Sequence, residues 1–191
     1  MLASTPELID DLDAESSPEL LQQLASGNGV ADVPESDVVV SLCVMSQLFD
    51  SLQQLVTEDH PLFANLLQAV RIGHLRRMLS MLRRGGVAIL VSDIVSSDTA
   101  PELKSSTPET LPSLVRQLVG SGNFFSGTNP ANVLRDLNIL SHLPDGAESV
   151  HTIDPWLWHL GERAYAVYGL RIQKKLPVEE MPDQELPDAL E

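Results

Sequence analysis

The 191-residue chain has a single cysteine, Cys43, so it can form neither an intramolecular disulfide nor a cysteine-rich zinc cluster, and a reducing, cytoplasmic setting is expected. No stretch approaches ~18 uninterrupted apolar residues, which excludes a transmembrane helix from the expectation. Between Met1 and Asp13 there are acids where a signal peptide needs bases and then an apolar run. Base is scarce everywhere: 12 Lys and Arg face 27 Asp and Glu, a net charge of −15, and so acidic a chain repels phosphates. Nucleic-acid binding through bulk charge is therefore disfavoured. What is present is 43% hydrophobic residues and a mean hydropathy of +0.01, enough apolar surface for one core, at a length that suits one domain with tails.

The charge marks the boundaries of that domain. Residues 1–37 hold nine acids and residues 177–191 six, neither with a Lys or Arg, while residues 38–176 balance 12 acids against 12 bases. Three segments follow: an acidic N-terminal stretch at 1–36, an α/β domain at 37–176 and an acidic tail at 177–191. Pro177, Pro182 and Pro187 forbid a continuous helix in the tail, which reads as a solvated end. Within the first stretch, Leu20, Leu21 and Leu24 stand at helical spacing behind a Ser17 cap and predict a short helix.

In the central segment, Asp37–Val44 is a nearly continuous β-branched run that suits a buried parallel strand. Ser46 can cap a following helix carrying Leu48, Phe49, Leu52, Leu55 and Val56 on one face. From Pro61 to Arg84 apolar residues recur at helical period, Gly85-Gly86 reads as the stop, and Val87–Asp93 is a second buried strand. Strand, helix, glycine pair, strand is βαβ grammar, with parallel strands as the default. Further on, 111–119 reads as a short helix, Gly120–Asn123 as a turn, and Pro130 as the first residue of a helix through Val133, Leu134, Leu137 and Leu140. Short strand 149–153 and longer strand 164–172, joined through Trp156, Trp158 and Gly161, predict an antiparallel hairpin at the sheet edge.

Signatures of common chemistries are missing. The five histidines, His60, His74, His142, His151 and His159, have no metal-ligand spacing, and neither a nucleophile elbow nor a phosphate loop occurs. Gly120 and Gly122 follow a helix where a phosphate loop should follow a strand, so they read as a turn. Arg71, Arg76, Arg77, Arg83 and Arg84 fall on one predicted helix, as a solvated face or an anion site. In open α/β sheets ligands bind beyond the carboxyl ends of parallel strands, a rule that selects Ser41, Cys43, Ser46 and Gln47 after the first strand and Ser92, Asp93 and Ser96 after the second. Cys43 reads as a buried small hydrophobe. Trp156 and Trp158 either line a pocket or anchor the hairpin.

At these residues the chain resembles the class I S-adenosylmethionine-dependent methyltransferases over about 37–174. DVVVSLCVMSQ (37–47) is similar to the family's fourth strand and following loop, RRMLSMLRRGGVAILVSD (76–93) to its helix, glycine pair and fifth strand, and 164–171 to its antiparallel seventh strand. The resemblance implies an α/β, Rossmann-like open sheet, mostly parallel with an antiparallel C-terminal edge strand, whose N-terminal cofactor half is missing: no glycine loop and no ribose-binding acid precede residue 37. It implies methyl transfer with S-adenosylmethionine as cofactor, Ser46 and Gln47 facing the cofactor, and Asp93, Trp156 and Trp158 toward an unknown substrate, without a metal. The alternatives are a non-catalytic remnant serving as an interaction module, and a hydrolase-like fold with a dispersed Ser, His, Asp set. The strand at 38–44 loses its family neighbour, so self-association through it is expected.

Overall fold

The computed structural model describes residues 17–27 and 33–176. The C-terminal tail, residues 1–16 and residues 28–32 lie outside that range. Chain order is α1 (Ser17–Ser26), β1 (Ser36–Leu42), α2 (Val44–Gln53), α3 (Phe63–Ser80), β2 (Leu82–Ser96), a 3-10 turn (Pro101–Ser105), α4 (Leu111–Gly120), α5 (Pro130–Ser141), β3 (Ala147–Leu160) and β4 (Arg163–Lys174). The four strands form one sheet in the order β1-β2-β4-β3. β1 and β2 are parallel, from Val38 opposite Val87 to Leu42 opposite Val91, and β4 is antiparallel to both β2 and β3. Three strands thus run one way and one is reversed, an open mixed α/β sheet. The expected C-terminal edge strand is corrected: β4 lies inside the sheet and β3 is outermost. A hairpin can be added edge-first, and here its first strand took the outside.

Several boundaries shift for local reasons. The parallel ladder is regular only from Val87, because residues 83–86 of β2 loop out opposite Asp37 alone, with Gly85 at φ 74° and Gly86 packed against Asp37 O. The glycine pair therefore shapes a bulge at the start of the strand, whereas α3 already ends at Ser80 so that Leu82 can enter the core. Arg83 and Arg84 sit on β2, not on the helix, and pair with Asp37 and Asp145. The single cationic helix face is corrected accordingly: Arg71 is buried, donating from Nε to Asp136 at 2.5 Å, while Arg76 donates to Ala25 O at 2.9 Å. β3 is also much longer than its predicted five residues. A bulge between Ile153 and Trp156 absorbs Pro155, so the strand continues through both tryptophans to Leu160, and Gly161 at φ 60° turns the chain into β4.

Two helix ends follow capping chemistry, while the N-caps Cys43, Leu62 and Thr110 make no side-chain capping bond. Asn129 Oδ1 accepts from Ala131 N at 3.0 Å ahead of Pro130, and α4 closes with Gly122 at φ 81°, its N–H reaching Val119 O while Asn123 N–H reaches Leu118 O. The α1 helix begins at Ser17 itself and lays Leu20, Leu21 and Leu24 into a small cluster with Leu52, Val56, Phe63 and Leu66. It approaches α3 backbone to backbone: a Cβ at Gly73 would stand 2.0 Å from Leu24 O, and one at Gly27 2.7 Å from Gly73 O. No described helix is long and apolar enough to cross a membrane.

Alternation sorts the sheet into two unlike faces. Ala88, Leu90, Ala166, Tyr168, Leu170 and Ile172 point to one face and are buried under α2 through Met45 and Phe49, α3 through Leu75 and Met78, α4 through Leu111 and Val115, and α5 through Val133 and Leu137. The other face carries Val38, Val40 and Leu42 of β1 and Ile153, Trp156 and Trp158 of β3, all exposed. Ile153 and Trp156 lie over Gly169, where a Cβ would meet Ile153 Cδ1 at 3.0 Å. Among the described residues no helix covers this face.

Leu90→Ala, which empties the centre of the covered face, should cost about 2–5 kcal/mol, and Asp136→Ala, which strands the buried Arg71 guanidinium, about 3–5 kcal/mol. Urea unfolding of both variants checks this.

Candidate functional site at the carboxyl ends of β1 and β2

The β1 strand stops where Cys43 takes a left-handed conformation, φ 52° and ψ 22°, the one positive φ on a non-glycine residue in the described chain. Its N–H bonds Val91 O at 2.8 Å, the last rung beside β2, and its carbonyl accepts from Ser46 Oγ at 3.0 Å. This reversal starts α2 at Val44. Ser46 is therefore inside the first turn and not its cap, a correction that follows from the chain turning three residues earlier than its polar residue suggests. An L-residue held in this region carries strain, which is found concentrated at ligand sites.

The turn brings predicted residues together. Ser46, Gln47 and Asp93 line one cavity of about 250 Å³ with Phe49, Asp50, Gln53, Phe125 and Ser126. Asp93 Oδ1 is buried without a hydrogen-bond partner among the described residues. The Cys43 thiol is pushed up to about 11, first by burial and then by the Asp93 carboxylate, so it stays protonated at neutral pH. Glu58 braces the rim, accepting from Gln53 Nε2 at 2.7 Å and Ser126 Oγ at 2.9 Å. Chemically this is a small acceptor-rich niche with aromatic walls. It can hold a donor-bearing group, and its thiol is a poor nucleophile.

The remaining sequence candidates lie elsewhere. Ser41 is buried on the helix-covered face with Oγ 2.9 Å from His74 Nε2. Burial lowers the His74 pKa. Ser92 and Ser96 are buried, with Ser96 Oγ accepting from Asp98 N at 3.3 Å. Trp156 and Trp158 do not line the cavity. Trp156 shares a cross-strand row with Val167 and Asp93, about two strand spacings, or ~10 Å, from the acid. Among the described residues no three His, Cys, Asp or Glu gather to hold a metal. Sequence reasoning missed the loop at 121–129, whose Phe125 N–H reaches Ile94 O at 2.7 Å to close the cavity. A signal was available in Gly127, at φ 82°, where a Cβ would stand 2.7 Å from the Phe49 ring.

No protein-family model, no curated protein and no solved structure matches this chain.

Cys43→Gly should relieve the left-handed strain and raise the unfolding free energy by about 1 kcal/mol despite the lost side chain. In the wild type, alkylation of Cys43 by iodoacetamide at pH 8 should be far slower than in the unfolded chain, and Asp93→Asn should accelerate it. The neutral His74 imidazole contributes stability that is complete above the unfolded pKa near 6.5 and is lost as pH falls below it, because only the unfolded chain protonates easily. Urea midpoints between pH 8 and pH 5 should fall accordingly, with a shallower slope in His74→Gln.

Proposed function

We propose that this chain is the second half of an S-adenosylmethionine-dependent methyltransferase fold, acting on an unknown substrate once the cofactor-binding half is supplied. The observation that carries the reading is the sheet itself: two parallel strands followed by a hairpin whose last strand is reversed, with the cavity at the carboxyl ends of the parallel pair. In the family the first strand lies beside the strand that β1 resembles. A free edge on β1 and an uncovered face are what such a sheet would present without that half, since parallel sheets carry helices on both faces.

The residues present fit one end of the cofactor only. Ligand pockets run from about 300 Å³ upward, and the niche beside Gln47 and Asp93 is smaller. Its Asp50, Gln47 and Asp93 side chains suit an ammonium or hydroxyl donor, while nothing among the described residues forms a glycine loop or ribose acid. When bound, the cofactor supplies an electrophilic methyl group. The chain's own part is then to position, with Gln47 and Ser46 at the cofactor's methionine end and Asp93 toward the substrate. Trp156 and Trp158 could reach substrate only from the open face.

A non-catalytic interaction module is the second reading, favoured by the small size of the cavity.

The test is a thermal-shift titration with S-adenosylmethionine on this chain and on the chain extended by the coding sequence in frame upstream of Met1. The isolated chain should show no shift at millimolar cofactor, whereas the extended chain should gain several degrees and lose them in Gln47→Ala. An extended chain that carries a glycine-rich strand end yet shows no shift would sink the methyltransferase reading in favour of the module.

A further inference from the structure

The two edges of the sheet are built in opposite ways. The outer strand β3 carries Pro155, a bulge between Ile153 and Trp156, and the charged side chains of Glu148 and Asp154, all devices that keep another strand from adding to an edge. From Val38 to Leu42, β1 carries none of these. That stretch reads Val-Val-Val-Ser-Leu in regular register, and Asp37, the strand's only charged residue, is neutralised by Arg83 of β2. No described strand pairs with its outer side.

Its hydrogen-bond pattern defines what would fit. Cys43 N–H points to Val91 O, so by alternation residues 39, 41 and 43 bond β2, and Val38, Val40 and Leu42 present their N–H and C=O groups outward. The same three residues have half-exposed side chains, Val40 at 54%. Three outward residues at a spacing of two form a set that is its own complement about the middle member.

We propose that β1 pairs with β1 of a second copy of this chain, antiparallel and centred on Val40. Val40 then faces Val40 of the second copy and Val38 faces Leu42 in both directions, which satisfies the outward groups of all three residues in each copy with six backbone hydrogen bonds. On the open face the facing side chains become cross-strand apolar pairs. No charge is buried, because Asp37 lies outside the paired triplet on either copy. The result is a continuous eight-stranded sheet. The acidic termini of two copies repel, so salt strengthens the association as it screens them. The contact is a single strand pair, at the small end of protein interfaces, so assembly depends on concentration. It does not rest on the methyltransferase reading, and its test contains no cofactor.

Sedimentation of the full 191-residue chain over a micromolar concentration series should give a species of twice 20.8 kDa that gains population with added sodium chloride. In hydrogen exchange the amides of Val38, Val40 and Leu42 should gain protection as concentration rises, while those of Val39 and Ser41 stay protected throughout. Val40→Lys, exposed in one copy and charged against its twin in two, should give a folded monomer by circular dichroism. Val40→Pro, which removes the central donor, should do the same. Ile153→Lys on the opposite edge should leave the dimer intact. A chain that stays monomeric at hundreds of micromolar would overturn the proposal, as would a dimer unaffected by Val40→Lys but broken by Ile153→Lys, the mark of face-to-face packing. Outward amides protected in a monomer would also overturn it, by showing that another segment of the same chain covers the edge.

Discussion

The burial of one sheet face under four helices is the interaction on which everything else in this chain depends. Ala88, Leu90, Leu170 and Ile172 are adjacent on the two central strands and almost wholly excluded from water, and each of α2, α3, α4 and α5 contributes side chains to the same layer. At roughly 25 cal/mol per Å² of apolar surface removed from water, this layer is the dominant favourable term in folding. β2 couples it to the rest, because among the described strands it alone has both a parallel and an antiparallel neighbour. Fixing β2 against the helices fixes the height at which β1 ends, and hence the place where Cys43 reverses the chain. The small cavity beside Asp93 is a by-product of that register.

The one-sided layer also explains why a chain with an ordinary hydrophobic content leaves large apolar side chains in water. Val38, Val40 and Leu42 obey the same alternation as Val39 and Ser41, and differ only in having no helix above them. On this face the exposure is systematic, whereas Val44, Leu48, Leu55, Ile139 and Leu143 are exposed singly on helices and loops, as surface apolar residues commonly are. The buried ion pair of Arg71 and Asp136, supported by Gln68 at 3.2 Å and by Gly127 O at 3.3 Å, ties α3 and α5 to the loop that roofs the cavity. Stability of the helical layer and closure of the site are therefore coupled through one guanidinium.

Much of this arrangement was legible in the residues. β-branched runs located β1 and the regular part of β2, leucines at helical spacing located α1, Asn129-Pro130 gave the start of α5, and the hairpin was readable from its turn. What failed has common physical causes. The end of α3 was read from Gly85-Gly86, but Leu82 is pulled into the core and ends the helix earlier, a tertiary demand that local punctuation does not carry. Arg71 looked like its exposed neighbours because its acid is 65 residues away in sequence. Of the site, Ser46, Gln47 and Asp93 came from the rule about strand ends, while Phe125 and Ser126 arrive through a long-range backbone bond that leaves no local trace. The sequence pattern puts the tryptophans in a connection, and a bulge at Pro155, which that pattern does not show, lets the strand continue through them.

The close approach of α1 and α3 has a further consequence. Where Gly73 meets the carbonyl of Leu24, two helices touch through their main chains, with no side chain to act as a spacer or to yield. Such a joint has no adjustable part. Positions 27 and 73 are therefore bound to vary together if they vary at all: a methyl group at 73 displaces α1 bodily, and a larger residue could persist only in a lineage that had given up the helix or re-angled it.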